Sequence, residues 1–537
     1  MHGRSLSSLP PDPAMTYRSP HPDVDIPEAS LPSFILENAA DRADRPALID
    51  GPSGRTLTYG ELRQATAACA GGLAARGLEK GDVFAIYSPN LPEYAIAFYG
   101  VTRAGGVATT INPLYTAEEA TRQLKDADAR YLLTVPPFLE KAQAAAAEAG
   151  IEEVFVFGEA AGATPFEALL SGGHAPPDVS IRPDEDLAVL PYSSGTTGLP
   201  KGVMLTHRNL VANVAQTMPV ERLQEGETTV GVLPFYHIYG MTIILSMALR
   251  CGATVVTMPR FEMEDFCALV EEHGIESGYL VPPIILGLAK SPVVDEYDLS
   301  SFDYVTSGAA PLGEEVAAAC ADRLGCMVKQ GYGLTETSPV THLTARDAAD
   351  PAVDSVGQAV PNTEFRVVDV ETHEDVAPGE RGEVWVRGPQ VMAGYLDRPD
   401  ATRDTIDDDG WLHTGDVGRV DEEERLYVVD RVKELIKYKG HQVAPAELEA
   451  LLQSHDAVAD AAVIPSPDEE AGEVPKAFVV EAPGASVSAE DVKAFVAERV
   501  APQKKVRRVE FIDEVPKTAS GKILRRELVE RERAEQG

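Results

Sequence analysis

Apolar and polar positions fall into three textures along this chain. From residue 57 to 135, short apolar runs bounded by glycine and proline alternate with stretches of helical period. The spacing predicts a helix over 57–76, a strand over 83–87, a helix over 93–104, a strand over 105–110, a helix over 117–128 and a strand over 131–135. Short apolar runs flanked by turn signals read as buried strands, and their alternation with helices points to a parallel sheet. More buried strands are predicted at 187–190, 230–234, 253–258, 304–307 and 327–332, with a strand-like segment over 203–207. Several end abruptly in small or reactive residues, which fits a site at the carboxyl ends of a parallel sheet.

Between 356 and 430 the pattern changes. Valine, arginine and tryptophan alternate with polar residues at 365–370, 383–387 and 425–429, the period-two signature of a twisted antiparallel or barrel-like sheet. A third unit follows, with a helix over 446–452, strands over 457–465 and 477–482, a helix over 489–498 and a strand over 508–511. Its length, about a hundred residues, suits an independent α+β domain. The expected architecture is therefore α/β: a large N-terminal domain of parallel-rich sheets with a barrel-like subdomain (33–432) and a small α+β C-terminal domain (433–537). Residues 1–32, rich in proline and serine, read as a disordered tail, and Met15 is an alternative start.

Composition narrows the function. The 537 residues suffice for more than one core. The hydrophobic fraction of 44% is ordinary for a globular protein. No apolar run approaches bilayer length, and the N-terminus lacks the apolar segment of a secretory signal. Acidic residues (85) outnumber basic ones (47), for a net charge of −38 spread along the whole chain. Such a surface excludes nucleic acid and anionic membranes as general partners. It suits a salt-rich interior, where self-repulsion is screened. Cys69, Cys251, Cys267, Cys320 and Cys326 are odd in number and show no CxxC pair. That pattern predicts reduced thiols in a cytoplasm, without a disulfide framework or zinc site.

The densest candidate chemistry lies at 192–203, Tyr-Ser-Ser-Gly-Thr-Thr-Gly-Leu-Pro-Lys-Gly-Val. A glycine-rich loop leaving a strand lets backbone N–H groups and hydroxyls surround phosphate oxygens without side-chain clash. Ser193, Ser194, Gly195, Thr196 and Thr197 would form that cradle, with Lys201 as its mobile charge. The common P-loop order, Gly-Lys-Ser/Thr, is absent, and by composition alone the stretch also reads as a surface loop.

The order of five motifs carries a resemblance. After 192–203 come Tyr-Gly-Leu-Thr-Glu at 332–336, Gly-Trp-Leu-His-Thr-Gly-Asp at 410–416, the basic stretch 430–442, and Pro-Lys-Thr-Ala-Ser-Gly-Lys-Ile-Leu-Arg-Arg at 516–526. Asn-Pro-Leu-Tyr-Thr at 112–116 also fits. Beyond the first thirty or so residues the chain resembles the AMP-forming adenylating superfamily of acyl- and aryl-CoA synthetases, luciferases and peptide-synthetase adenylation domains. Residues 433–449 are similar to the 4-coumarate–CoA ligase branch. The resemblance implies ATP-dependent activation of a fatty or aryl acid to acyl-AMP, then transfer to CoA, with ATP and CoA as cosubstrates and Mg²⁺ as cofactor.

Such chemistry joins two anions, so it needs cations, a metal and little water. Thr335 can donate to the α-phosphate, Glu336 is suited to Mg²⁺, and Asp416 can accept from both ribose hydroxyls. By the resemblance, Lys522 bridges carboxylate and α-phosphate, Arg431 contacts ribose or phosphate, and Gln330, Gly331 and Tyr332 line the adenylate pocket. Lys437 and Gln442 contact the adenylate. His237, Tyr239, Gly308, Ala309 and Gly331, with Ile243, Val340 and Thr341, border the acyl chain. Arg260, Lys439 and Gly440 meet CoA. Lys433 is the hinge of a small domain that is mobile, because Lys522 must enter and leave the site. Two alternatives accompany this reading: an adenylation enzyme loading a carrier-protein thiol, and a nucleotide-binding sensor without turnover.

Overall fold

The computed structural model describes residues 15–193, 200–439, 441–468, 470–518 and 521–536. Two large sheets dominate it. In the eight-stranded sheet, Leu187–Ser193, Val107–Thr110, Val83–Tyr87, Ala129–Thr134, Glu153–Val156 and Thr164–Pro165 run parallel, and Lys201–Thr206 and Gly394–Tyr395 add an antiparallel edge. In the nine-stranded sheet the parallel centre is Met327–Gly333, Tyr304–Ser307, Ser277–Leu280, Thr228–Gly231, Thr254–Thr257 and Pro46–Asp50. Antiparallel strands Val340–Leu343 and Gln358–Ala359 close one edge, and Thr56–Thr58 closes the other.

The main hydrophobic core joins both sheets. Helix Pro92–Arg103 lies within it: every residue from Tyr94 to Thr102 is buried, which explains why its sequence is apolar all round rather than striped. Helix starts are set locally. Thr58, Thr116, Thr206 and Ser488 each form a reciprocal capping box with the residue three places on, satisfying donors the first turn leaves unpaired.

The alternating region 356–430 forms the expected half-barrel, a five-stranded antiparallel sheet of Tyr17–Arg18, Glu364–Val368, Gly382–Arg387, Leu412–Val420 and Leu426–Arg431. Its first strand corrects the expected tail. Tyr17 pairs with Phe365 and stacks on its ring at 4.9 Å, and Ser19 Oγ donates to Ala359 O at 2.7 Å. From residue 15 onward the N-terminal segment is therefore ordered, because it completes a sheet edge; a two-residue strand leaves no period to read. Residues 1–14 lie outside the described part.

The small domain is a five-stranded sheet of His441–Val443, Ile436–Tyr438, Gly472–Glu481, Val458–Asp468 and Arg508–Phe511, with helices Pro445–Gln453, Ala489–Ala497 and Arg525–Gln536. The last helix had no counterpart in the sequence reading. No helix of the described residues is long and apolar enough to cross a membrane.

Candidate active site

A cleft of ≈ 200 Å³ opens between the two domains, at the carboxyl ends of strands Tyr304–Ser307 and Met327–Gly333. Ala309, Gly331, Tyr332, Asp416 and Arg431 line it from the large domain, and Lys522 from the small one.

Strand register builds the first part. Asp416 on Leu412–Val420 stands opposite Arg431 on Leu426–Arg431, and Arg431 Nε lies 3.2 Å from Asp416 Oδ1. Tyr332 OH donates to Asp416 Oδ2 at 2.6 Å. The Asp416 carboxyl is buried, which raises its pKa, while Arg431 and the Tyr332 hydroxyl oppose the rise. Glu336 is buried in the short turn Thr335–Thr337, and its Oε1 accepts from Tyr395 OH at 2.8 Å. Lys201 Nζ sits 4.2 Å from the Tyr395 ring centre, a cation–π contact. Tyr395 thus ties the phosphate-loop lysine to the proposed metal carboxylate, a link sequence reasoning missed. Its only signal was a tyrosine following glycine in Met-Ala-Gly-Tyr-Leu at 392–396. Ser193 ends the strand before the loop and pairs with Lys201. Ser194, Gly195, Thr196 and Thr197 lie outside the described residues.

Lys522 is presented on a tight turn. Lys517 bridges Ile523, Thr518 N–H donates to Lys522 O at 2.8 Å, and Lys522 N–H donates to Thr518 Oγ at 3.1 Å. Gly521 makes the turn in left-handed backbone (φ +78°), and a Cβ there would stand 3.0 Å from Pro283 Cδ of the large domain. Burial and neighbouring Arg431 lower the Lys522 pKa; Glu434, Asp416 and Glu336 counter them. The ammonium therefore feels charges of both signs, from Arg431 on one hand and from Glu434, Asp416 and Glu336 on the other.

Among the residues expected to border the acyl chain, a Cβ on Gly308 would stand 2.8 Å from the Tyr239 ring, and one on Gly331 would stand 3.0 Å from Leu343 Cδ1. Tyr239 OH donates to Thr306 O at 3.2 Å, fixing the ring. The Tyr239 ring therefore packs directly on the Gly308 backbone, an approach that only glycine permits. Ala309 beside it holds φ +71°, an unusual conformation for a residue with a side chain. Ile243, Val340 and Thr341 are buried nearby in sequence, Ile243 on the π-helical segment Gly240–Met247. His237 Nδ1 accepts the Tyr239 N–H at 3.3 Å. Burial and the Lys522 charge push the His237 pKa down to about 4. The ring is thus neutral at pH 7 with its proton on Nε2.

Other expected residues are engaged with the protein itself or lie outside the cleft. Gln330 lines the cleft, but its side chain is committed to the Leu312 and Val353 carbonyls and the Leu312 N–H. Lys437 and Gln442 face each other across the hairpin Ile436–Val443 and do not line the cleft. Lys439 pairs with Glu470 at 2.5 Å, and Arg260 is exposed with Glu262 at 2.9 Å. Gly440 is outside the described residues. Lys433 is exposed in the turn between the half-barrel and that hairpin. The sequence reading also missed Arg525, which pairs with Glu434 and Glu449 at 2.6 Å each and lines the cleft.

Comparison with known proteins agrees with this geometry. The AMP-binding enzyme family matches residues 35–396, and the AMP-binding enzyme C-terminal domain matches 447–522. The chain is 42% identical to 4-coumarate–CoA ligase 1 of Petroselinum crispum and 44% identical to 4-coumarate–CoA ligase 1 of Solanum tuberosum, in each case over 96% of both chains. Among solved structures it is similar to the anthranilate CoA ligase AuaEII in complex with anthranoyl-AMP, with a TM-score of 0.87 at 25% identity, covering 95% of this chain and 98% of that one. It is also similar to a benzoate CoA ligase from Burkholderia xenovorans LB400, with a TM-score of 0.85 at 26% identity, covering 93% and 99%. With a two-domain cleft, five ordered motifs and full-length relatives in agreement, the chain belongs to the AMP-binding enzyme family, as an AMP-forming acid–thiol ligase.

Proposed function

We propose that this ligase activates an aryl-propenoic acid of the 4-coumarate type with ATP, giving acyl-adenylate and pyrophosphate, and transfers the acyl group to CoA with release of AMP. The observation that carries the reading is Lys522, which the small domain delivers into a cleft whose Asp416 and Arg431 belong to the large domain, with the Glu336 charge also acting on it. The acid class rests on the relatives named for 4-coumarate.

In the first step a carboxylate oxygen bonds to the α-phosphorus and the bond to pyrophosphate breaks. Both reactants are anionic, so the Lys522 ammonium between them lowers the barrier, more so where burial lowers the local dielectric. Asp416 accepts from the ribose hydroxyls, Arg431 holds ribose or phosphate, and Lys201 with Ser193, Ser194, Gly195, Thr196 and Thr197 meets the β- and γ-phosphates. Thr335 donates to the α-phosphate. Glu336 is a hard oxygen donor fixed by Tyr395, and Mg²⁺ commonly takes one carboxylate with substrate phosphates, so the donor set fits that ion, which would neutralise phosphate charge. Neutral His237 orients the acid through Nε2–H. For the second step Lys522 withdraws as the small domain turns about Lys433. That rotation brings the hairpin with Lys437, Lys439, Gly440 and Gln442 toward the site, and Arg260 meets a CoA phosphate. The free cysteines and the acid excess favour a cytoplasmic enzyme of a salt-rich cell.

Acid-dependent pyrophosphate–ATP exchange in high potassium chloride with Mg²⁺ tests the reading. The panel runs from acetate through long-chain fatty acids to benzoate and 4-coumarate. The expected result is strongest exchange with 4-coumarate, then thioester formation on adding CoA. Lys522→Ala should lose exchange by at least about 100-fold and still form thioester from supplied acyl-AMP. Strongest exchange with fatty acids would reassign the acid class, and no exchange from folded, ATP-binding protein would promote a sensor.

A further inference from the structure

The domains also touch at the rim of the cleft, which Gln453 and Lys517 line. Lys290 ends the large-domain helix Pro282–Lys290, and its Nζ reaches across to the small domain. It donates to the carbonyls of Gln453, at 2.7 Å, and Val458, at 3.2 Å. Gln453 is the last residue of helix Pro445–Gln453, so its carbonyl is one the helix leaves without an internal partner, and a cation there is favoured by the helix dipole. Gln453 continues the connection: its Nε2 donates to Asp460 Oδ1 at 3.2 Å, and Asp460 Oδ2 accepts from Lys517 Nζ at 2.6 Å. Lys517 bridges Ile523 and so closes the turn that carries Lys522. The chain of contacts runs unbroken from a large-domain helix to that turn.

The large-domain end is anchored. Arg323 donates to Leu288 O at 3.1 Å and pairs with Asp295 at 2.6 Å, fixing the helix that holds Lys290. A further cross-domain pair, Arg381 with Glu447, is looser at 3.8 Å.

We infer that Lys290 is a positioning residue for adenylation: through Gln453, Asp460 and Lys517 it holds the small domain where Lys522 enters the cleft. The inference rests on the proposal that Lys522 leaves between half-reactions. A contact made in one arrangement and lost in the other shifts the balance between them by its own differential free energy. The Lys290 ammonium is partly exposed, so its hold is modest and releasable.

The test compares half-reactions. Lys290→Met should lower acid-dependent pyrophosphate exchange by about three- to tenfold, while thioester formation from supplied acyl-AMP and CoA stays level or rises. Asp460→Asn should reproduce that split, and Lys290→Arg should restore most of the exchange. Equal losses in both half-reactions, or unchanged exchange, would overturn the assignment. Hydrogen–deuterium exchange of the 516–524 segment with ATP bound gives a readout without turnover: it should quicken in Lys290→Met, and an unchanged rate would also overturn it. A wild-type enzyme without pyrophosphate exchange would instead sink the ligase reading, with the hydrogen-exchange comparison still judging the contact.

Discussion

His342, His207 and His237 share one electrostatic condition: each loses water on folding and gains too little in return to hold a proton. Burial pushes His342 down to about 3 and His207 to about 4, and burial with the Lys522 charge takes His237 to about 4. His237, assigned to the acyl end of the reaction, is therefore kept neutral near pH 7 by burial and the Lys522 charge, which leaves the positive charge for adenylation to lysine and arginine. His342 gives the cleanest test. It is fully buried, its Nδ1 meets Thr341 Oγ at 3.0 Å, its Nε2 has no partner, and its edge rests on Phe365 at 4.6 Å between centres. An unfolded histidine takes a proton near pH 6.5, whereas this one refuses it until about 3. Its stabilising contribution is thus complete above pH 6.5 and is lost as pH falls toward 3, on the order of 3 kcal/mol by pH 4. His342→Phe should lower the urea midpoint at pH 7 by removing the Thr341 contact, yet flatten its decline between pH 7 and 4. A decline as steep as the wild type's would assign acid sensitivity to other groups.

At the scale of elements, what was legible depended on how local the determinant is. Strands Val83–Tyr87, Tyr304–Ser307 and Arg508–Phe511 fall on their expected spans, the first two as short, largely buried runs and the third as an alternation of charged and apolar residues. The five motifs were readable for the same reason: each site residue sits within a few positions of its neighbours in the pattern. Helix Arg525–Gln536 was not, since arginine and glutamate dominate it and its cause is tertiary. Leu528 joins Phe478, Ala462, Ile464 and Val515 in a core of the small domain, and Glu532 accepts from Ser466 at 2.6 Å while pairing with Lys476. The Arg525–Glu434 pair spans 91 positions, beyond any local period. The same dependence makes the helix testable. A chain ended after Arg526 keeps Lys522 and Arg525 but removes Leu528 and Glu532. Calorimetry should then show an early small-domain transition separating from a large-domain transition near its original temperature, with pyrophosphate exchange lost although Lys522 remains. A single undivided transition would mean the domains unfold as one unit.

For the molecule as a whole, net charge sets the working conditions. With 85 acidic against 47 basic residues, like charges repel across the folded surface, and folding brings them closer. Exposed ion pairs such as Arg182–Glu185 at 2.5 Å and Arg526–Glu530 at 2.7 Å are each worth only about 0–1 kcal/mol. Salt weakens both terms, because the screening length shrinks from about 10 Å at 0.1 M to about 3 Å at 1 M. The repulsion sums over a large excess of one sign, whereas the pairs are local, so screening should favour the folded state. The melting temperature should rise by several degrees from 0.1 to 2 M potassium chloride, and a flat or falling curve would show that ion pairs outweigh repulsion. Catalysis should follow for a separate reason. Arg431 and Lys522 line the cleft of a chain with a large acidic excess, so polyanionic ATP is repelled at long range and attracted at contact. Screening removes the long-range term first, and KM for ATP should fall between 0.05 and 0.5 M salt before the short-range attraction weakens and it rises again. A KM that only rises with salt would place the dominant field at the cleft rather than in the acidic excess.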